Sequence, residues 1–243
     1  MKIAVQNALE GESVMKARLK FTKMGPMKFI GHLDLQRLFQ RCIRRSHLPI
    51  EYSKGFNPHQ YLYFALPLPL GATSEGEYLD MTLTDELEPE EIKNSLNAYL
   101  PEGINIQEVY ILSDEMAVGM AAVDAAEYKI FIDKKTVPLH FMDAVNNFFN
   151  QSEILAEKQG KKGIKEVNIK EMIHEYTLDE NDEQWIITLL LATGSKTNLK
   201  PETVIQQIYR DNNLEYKDCR VHIHRINIYS RKNDLFLPLS DIS

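Results

Sequence analysis

Apolar and polar residues alternate over Lys16–Thr22, with Lys16, Arg18 and Lys20 in one phase and Ala17, Leu19 and Phe21 in the other. A period of two predicts a half-buried strand with a basic outer face. Gly25-Pro26 breaks the run. Over Ile30–Ser46 the period changes: Leu35, Leu38, Phe39, Cys42 and Ile43 recur at helical spacing, and Arg37, Arg41, Arg44 and Arg45 share another side. Pro49 stops this helix. Ile50–Ser53 reads as extended, Lys54-Gly55-Phe56-Asn57-Pro58 as a turn, and Tyr61–Leu70 as a strand. Pro67 and Pro69 cannot donate ladder bonds, so that strand belongs at a sheet edge or at a bulge. Gly76–Leu83 is a strand, Pro89–Leu100 a helix opened by acidic residues, and Ile104–Leu112 a strand.

The order strand-helix-strand-strand-helix-strand is the ferredoxin-like pattern, and it recurs. Tyr128–Ile132 is a strand, and Leu139–Asn150 a helix with Phe141, Val145, Phe148 and Phe149 inward. Ile154–Lys158 and Lys165–Ile169 flank a flexible Gly160-Lys161-Lys162-Gly163. Met172–Leu178 extends this as a strand or a short helix. Gln184–Ala192 is a strand, Pro201–Arg210 a helix with proline at its start, and Arg220–Tyr229 the last strand. The expected fold class is α+β, two tandem ferredoxin-like (βαββαβ) halves with antiparallel sheets. The halves span 15–113 and 127–230, with a tail at 1–14, a linker at 114–126 and a C-terminal tail at 231–243.

Charge sharpens this picture. The 243-residue chain carries −7, so it is not a general polyanion binder. From Lys16 to His59, however, ten cations face two anions, a local charge of +8 that leaves −15 elsewhere. A basic face on an acidic body attracts an anionic partner locally. The candidate anion- or RNA-binding residues are Arg18, Lys20, Arg37, Arg41, Arg44, Arg45 and Lys54. Arginine presents a planar fork suited to phosphate or carboxylate. The competing reading is a solvated helix face paired with the body's own acids, such as Asp80 or Glu77.

A candidate pocket gathers around the turn: His32, Asp34, Tyr52, Gly55, Phe56, Asn57, His59 and Glu77. Aromatic rings there could stack on bases; alternatively Phe56 and Pro58 plug the core. His32 and Asp34 read as an acid/base pair or half a metal site, or Asp34 simply caps the helix. Ser74, Glu75, Glu77 and Asp80 place carboxylates near the basic turn, a weak signal for a base. His222 and His224 share one strand face, but with no third ligand in view no metal site is expected.

Two cysteines, Cys42 and Cys219, are too few for a disulfide framework or a thiolate-bound cluster and fit a reducing cytoplasm. No apolar run approaches the roughly 18–20 residues of a membrane span, and the first fourteen residues lack the core of a secretory leader. Phosphate-binding loops, dinucleotide fingerprints, serine elbows and the Cys-x-x-x-Cys-x-x-Cys motif are absent, which argues against a self-contained NTPase, dehydrogenase, hydrolase or radical enzyme.

Three stretches carry a resemblance. Phe29–Arg45 reads FIGHLDLQRLFQRCIRR, Leu48–His59 LPIEYSKGFNPH, and Ala65–Asp80 ALPLPLGATSEGEYLD. Together they resemble the radical SAM-linked protein family, a bacterial domain of unknown function found beside or fused to radical SAM proteins and often near an RNase G-type ribonuclease. The match is specific over Phe29–Asp80 and looser across residues 16–230. It implies a radical SAM partner that itself holds S-adenosylmethionine and an iron–sulfur cluster, with no cofactor bound by this chain, and it carries over no catalytic residue. The resulting expectation is an accessory binding module in the cytoplasm, not catalytic alone, that holds RNA or another anionic substrate. The alternatives are a metal-independent RNA-processing or RNA-modifying enzyme of tandem ferredoxin-like fold and a structural subunit of a complex.

Overall fold

The computed structural model describes residues 14–160, 163–195, 197–217 and 220–242. It is a mixed α/β architecture of four helices on a largely antiparallel sheet. In the N-terminal half the elements are β1 (Met15–Lys23), α1 (His32–Ser46), β2 (Leu62–Phe64), β3 (Thr73–Leu83), α2 (Pro89–Asn97) and β4 (Ile104–Leu112). The C-terminal half contributes β5 (Ala125–Asp133), α3 (Phe141–Phe149), the hairpin β6 (Leu155–Gly160) and β7 (Gly163–Asn168), β8 (Ile173–Glu180), β9 (Gln184–Ala192), α4 (Pro201–Asp211), β10 (Val221–Lys232) and β11 (Leu235–Pro238).

One sheet for each half was expected; instead a single nine-stranded sheet runs through both, and β6 and β7 pair apart from it. Its order is β4-β1-β3-β10-β5-β9-β8, with β2 on β3 and β11 on β10. Every pairing is antiparallel except the seam, where β3 and β10 run parallel through His224 opposite Thr73 and Arg225 opposite Ser74. The cause lies in the proline segment. Tyr61–Leu70 was expected as one strand, but only Leu62–Phe64 pairs. With Pro67 and Pro69 unable to continue the ladder, the first residues of β3 are left free to meet β10. Gly76 makes the approach possible, since a Cβ there would sit 2.3 Å from the Ile226 carbonyl oxygen.

The helices follow their sequence signals. α1 starts at Gly31, with no side-chain cap, and ends at His47 in the left-handed conformation (φ 57°) shortly before Pro49. It buries Leu35, Phe39 and Ile43 in one cluster with Leu19, Phe21 and Leu79, and Cys42 beside the Tyr99 carbonyl. Each such large apolar side chain contributes roughly 1.5–3 kcal/mol by burial. Pro89 and Pro201 open α2 and α4 at the position where a missing N–H costs nothing. A second core gathers around Ile130, Ile187, Leu189, Val204 and Ile208. Ala65, Leu66, Leu68 and Ala72 of the proline segment belong to this second core, so the N-terminal half extends beneath the C-terminal one.

Two boundaries differ from expectation, and one open choice is decided. The C-terminal tail expected at 231–243 is no tail over its described residues, 231–242: β10 continues to Lys232, β11 folds back on it and Leu239 is fully buried. Within 114–126, Ala122 and Val123 are buried and Gly119–Ala122 forms a 3-10 turn. Met172–Leu178 resolves as the strand β8. The tail at 1–14 lies, except for Val14, outside the described residues, as do Lys161, Lys162 and Cys219.

Candidate functional site

Cations that looked alike in sequence have opposite fates. Arg18 was expected on an outer basic face, yet it is fully buried. Its Nε and Nη2 donate to the two oxygens of Asp80 at 2.8 and 2.9 Å, Nη1 to the Leu239 carbonyl, and Nη2 also to the Ala117 carbonyl. The segment taken for a tail covers that face of β1, so Arg18 is structural and unavailable to a ligand. Lys20 stays partly exposed and lies 3.9 Å from Glu108.

Glu77, assigned to the candidate pocket, is buried too. Both of its oxygens accept from Arg225 Nη1, at 2.8 and 3.0 Å. Arg225 further donates to the Leu66 and Pro67 carbonyls and lies over the Tyr128 ring. Burial works against its charge, but Glu77 and Tyr128 outweigh it and raise its pKa. Burial lowers the pKa of nearby Lys23, which Glu77 partly holds up. With Asp80 and Glu77 already engaged, neither carboxylate can neutralise the arginines of α1.

Those arginines line the outer wall of the helix. Arg37, Arg41, Arg44 and Arg45 are all exposed. Arg37 meets Asp34 one turn away at 3.2 Å, and Arg45 lies over the Tyr99 ring. Among the described residues no ion pair involves Arg41, Arg44 or Arg45. Asp34, expected as a possible cap, makes no cap hydrogen bond, and His32 packs edge-on against Phe64.

The turn is a small hairpin projecting from the sheet edge. Tyr52 bridges Gln60, the Ser53 N–H donates to the His59 carbonyl, and the Ser53 hydroxyl lies 2.7 Å from His59 Nδ1. Gly55 holds φ at 128°, which favours glycine. Phe56 is 106% exposed, and Pro58, Asn57 and Lys54 are exposed with it. Phe56 and Pro58 therefore plug no core. Tyr61 and Tyr63 stack at 6.3 Å, and His59 meets Tyr61 edge-on. Because Phe64 packs on Phe21 and Phe39, alternation turns Tyr63 to the sheet face away from α1. The tyrosine row and the arginine wall thus lie on opposite sides of the sheet and do not form one pocket.

A constellation at the seam was visible only in part beforehand. The Thr73 hydroxyl lies 2.9 Å from His222 Nε2 and 2.8 Å from His224 Nδ1, and His224 Nε2 is 3.8 Å from Glu75. Burial lowers both histidine pKa values; Lys28 lowers that of His222 further, and Glu75 partly restores that of His224. Among the described residues no group of three or more His, Cys, Asp or Glu is placed to hold a metal. Arg225 was missed, although its signal was present: it occupies the inward phase set by Val221 and Ile223, where a charge demands a buried partner.

A profile built from a bacterial family matches residues 16–201. The chain belongs to the DUF2344 family. That family is described as an uncharacterized protein conserved in bacteria. No curated protein matches the chain. Among solved structures, a chain from the crystal structure of a Cbf5-Nop10-Gar1 complex is 8% identical with a TM-score of 0.47, over 87% of this chain and 48% of that one. The DUF2344 chain thus spans about half the length of that chain. An unknown protein from Galdieria sulphuraria is 10% identical with a TM-score of 0.26, over 88% of this chain and 98% of that one. Among the described residues of this DUF2344 protein no helix is long and apolar enough to cross a membrane.

Proposed function

We propose that this chain is a binding module without chemistry of its own, which holds RNA against the outer wall of α1 for a radical SAM protein. The cluster and S-adenosylmethionine belong to that partner. One observation carries the reading: Arg41, Arg44 and Arg45 stand exposed and without ion pairs among the described residues, while the buried Arg18 and Arg225 are each paired with a carboxylate. In a chain of net charge −7, an unneutralised row of guanidiniums is a local attractor for phosphates. Exposed Lys54 and Phe56, on the hairpin that follows the C-terminal end of α1, add a cation and a stacking surface. The antiparallel orders β4-β1-β3-β2 and β10-β5-β9-β8 support a tandem ferredoxin-like reading in which the halves are fused edge to edge.

The test is fluorescence anisotropy of labelled single-stranded RNA at about 50–200 mM salt. Binding should weaken steeply with salt and be lost in Arg41→Glu/Arg44→Glu/Arg45→Glu. Absence of binding at low salt overturns the reading. If instead the triple variant keeps its RNA affinity but no longer co-purifies with a radical SAM protein, the arginine wall is a protein interface.

A second reading, an RNA-processing enzyme acting alone, draws on the exposed Ser53 hydroxyl–His59 imidazole pair. Cleavage of labelled RNA that disappears in His59→Ala would favour it.

A further inference from the structure

The hairpin of β6 and β7 stands apart from the main sheet, and β6 pairs with β7 alone. The Ile169 N–H donates to the Ile154 carbonyl, one position before the register pair of Leu155 and Asn168. In an antiparallel pair, bonded and unbonded positions alternate. Ala156 therefore bonds β7, and the N–H and C=O of Leu155 and Glu157 point out from the other edge. Among the described residues neither makes a backbone hydrogen bond beyond the hairpin.

A cleft of about 540 Å³ runs along that edge, and Ala156 and Glu157 both line it. Successive strand residues point to opposite faces, so a cleft that meets both meets the strand edge-on. The facing wall is α4, through Thr203, Gln206, Gln207 and Arg210 at i, i+3, i+4 and i+7. This stripe lies opposite the core stripe of Val204, Ile205 and Ile208. From Thr203 to Arg210 it covers about 10 Å of helix axis, the length of about three strand residues.

A second cavity of about 270 Å³ adjoins the cleft and shares Ala156, Glu157 and Thr203 with it. Ile169, Met172 and Leu199 make it an apolar recess with room for one large side chain. Two exposed cations flank the groove, Lys200 at the recess and Arg210 at the outer cleft. Glu157 meets Arg210 at 3.1 Å with both side chains more than half exposed, a contact that yields readily. Lys200 and Arg210 outnumber Glu157, so the groove favours an acidic occupant. An open strand edge beside a helix wall offers the hydrogen bonds that another strand completes.

We propose that this groove takes an extended, acidic segment of a partner protein as a third strand on β6. Its backbone bonds Leu155 and Glu157, one apolar side chain enters the recess, and a flanking carboxylate meets Lys200 or Arg210. The proposal rests on nothing in the RNA reading, whose arginines lie on α1.

The test presents a display library of random peptides of about six residues, the common strand length, to the full chain. Selected peptides are then measured by fluorescence anisotropy. Leu, Met or Phe beside Asp or Glu should be enriched, with a Kd of about 100 μM or tighter. Methylating the peptide's backbone nitrogens should weaken binding about tenfold, and bound peptide should slow hydrogen exchange at the Leu155 and Glu157 amides. Glu157→Pro removes an outward N–H, which an edge strand tolerates, so the Tm should hold and binding should be lost. If that variant does not fold, Lys200→Glu/Arg210→Glu, at two exposed positions, should weaken binding at least about tenfold. The proposal is overturned if no consensus is selected, if protection appears away from β6, or if the folded variants bind like wild type. Concentration-dependent protection of the same amides without peptide would make a second copy of this chain the occupant, and would overturn it too.

Discussion

Arg18 and Asp80 sit directly opposite one another on β1 and β3 and close a two-bond ion pair at 2.8 and 2.9 Å, with side-chain exposures of 0% and 3%. The same carboxylate accepts the Gly119 N–H, and the same guanidinium donates to the Leu239 carbonyl. One buried pair therefore ties the inter-half segment and the C-terminal turn to the first sheet strands. Breaking such a pair from one side leaves an uncompensated buried charge. Asp80→Ala should cost about 3–5 kcal/mol in equilibrium urea unfolding, and Arg18→Met/Asp80→Leu should recover most of it. A loss below about 1 kcal/mol for Asp80→Ala would put the pair among ordinary surface contacts.

The seam tolerates no side chain at Gly76. A Cβ there would lie 2.3 Å from the Ile226 carbonyl oxygen and 2.7 Å from the Asn227 Cα, both backbone. Gly76→Ala should destabilise by at least about 2 kcal/mol and lower the Tm in a thermal melt. An unchanged Tm would mean that β3 and β10 part easily.

Acid should weaken the fold through the seam histidines. His222 and His224 have pKa values below the ordinary 6.5, chiefly through burial. The unfolded chain therefore takes up protons first as pH falls below 6.5, and stability drops from there until the folded-state pKa values are passed. The charges facing them are Lys28 and Lys129, which oppose protonation, and Glu75 and Glu77, which favour it on His224. Urea midpoints measured between pH 7.5 and 5 should fall, and His222→Gln/His224→Gln should flatten that fall. An equally steep profile in the double variant would assign the acid sensitivity to other groups.

The arginine wall makes a quantitative salt prediction. Each arginine contacting a phosphate adds about 0.7 to the slope of log affinity against log salt for a single strand. Arg41→Gln and Arg44→Gln should each lower the slope by about that amount. Glutamine suits this measurement better than glutamate, because acids in the last turn of a helix are themselves destabilising. Slopes indistinguishable from wild type would take these residues out of the interface.

Phe56 separates binding from folding. It is fully exposed, so Phe56→Ala should leave stability within about 0.5 kcal/mol. If bases stack on it, RNA affinity should fall by about 1–3 kcal/mol in the anisotropy assay. Unchanged affinity would leave the hairpin tip without a share in RNA binding.

The helices and most strands could be read from periodicity because each buries a single stripe or face: Phe39 and Ile43 in α1, Leu19 and Phe21 in β1. The seam could not be read, because a parallel contact between strands far apart in sequence leaves no local pattern. The fate of Arg18 was hidden for the same reason. Its burial depends on Leu239 and Ala117, remote in the chain, and alternation reports only which residues share a face, not what covers it. The outward arginines of α1 were legible since the helix settles their direction by itself. Phe56 and Pro58 were ambiguous, because turn composition marks a change of direction and not whether the corner points in or out.

Glu77 and Arg225 come from different halves of the chain, and each buries a charge that the other balances. A cut through the inter-half segment would hand each fragment a stranded ion and an open strand edge, with the proline segment of one fragment stripped of the core it fills in the other. Two soluble, separately usable domains are therefore not to be had by truncation. Fragments made together should instead reassemble, and a split-reporter complementation assay would follow that reassembly.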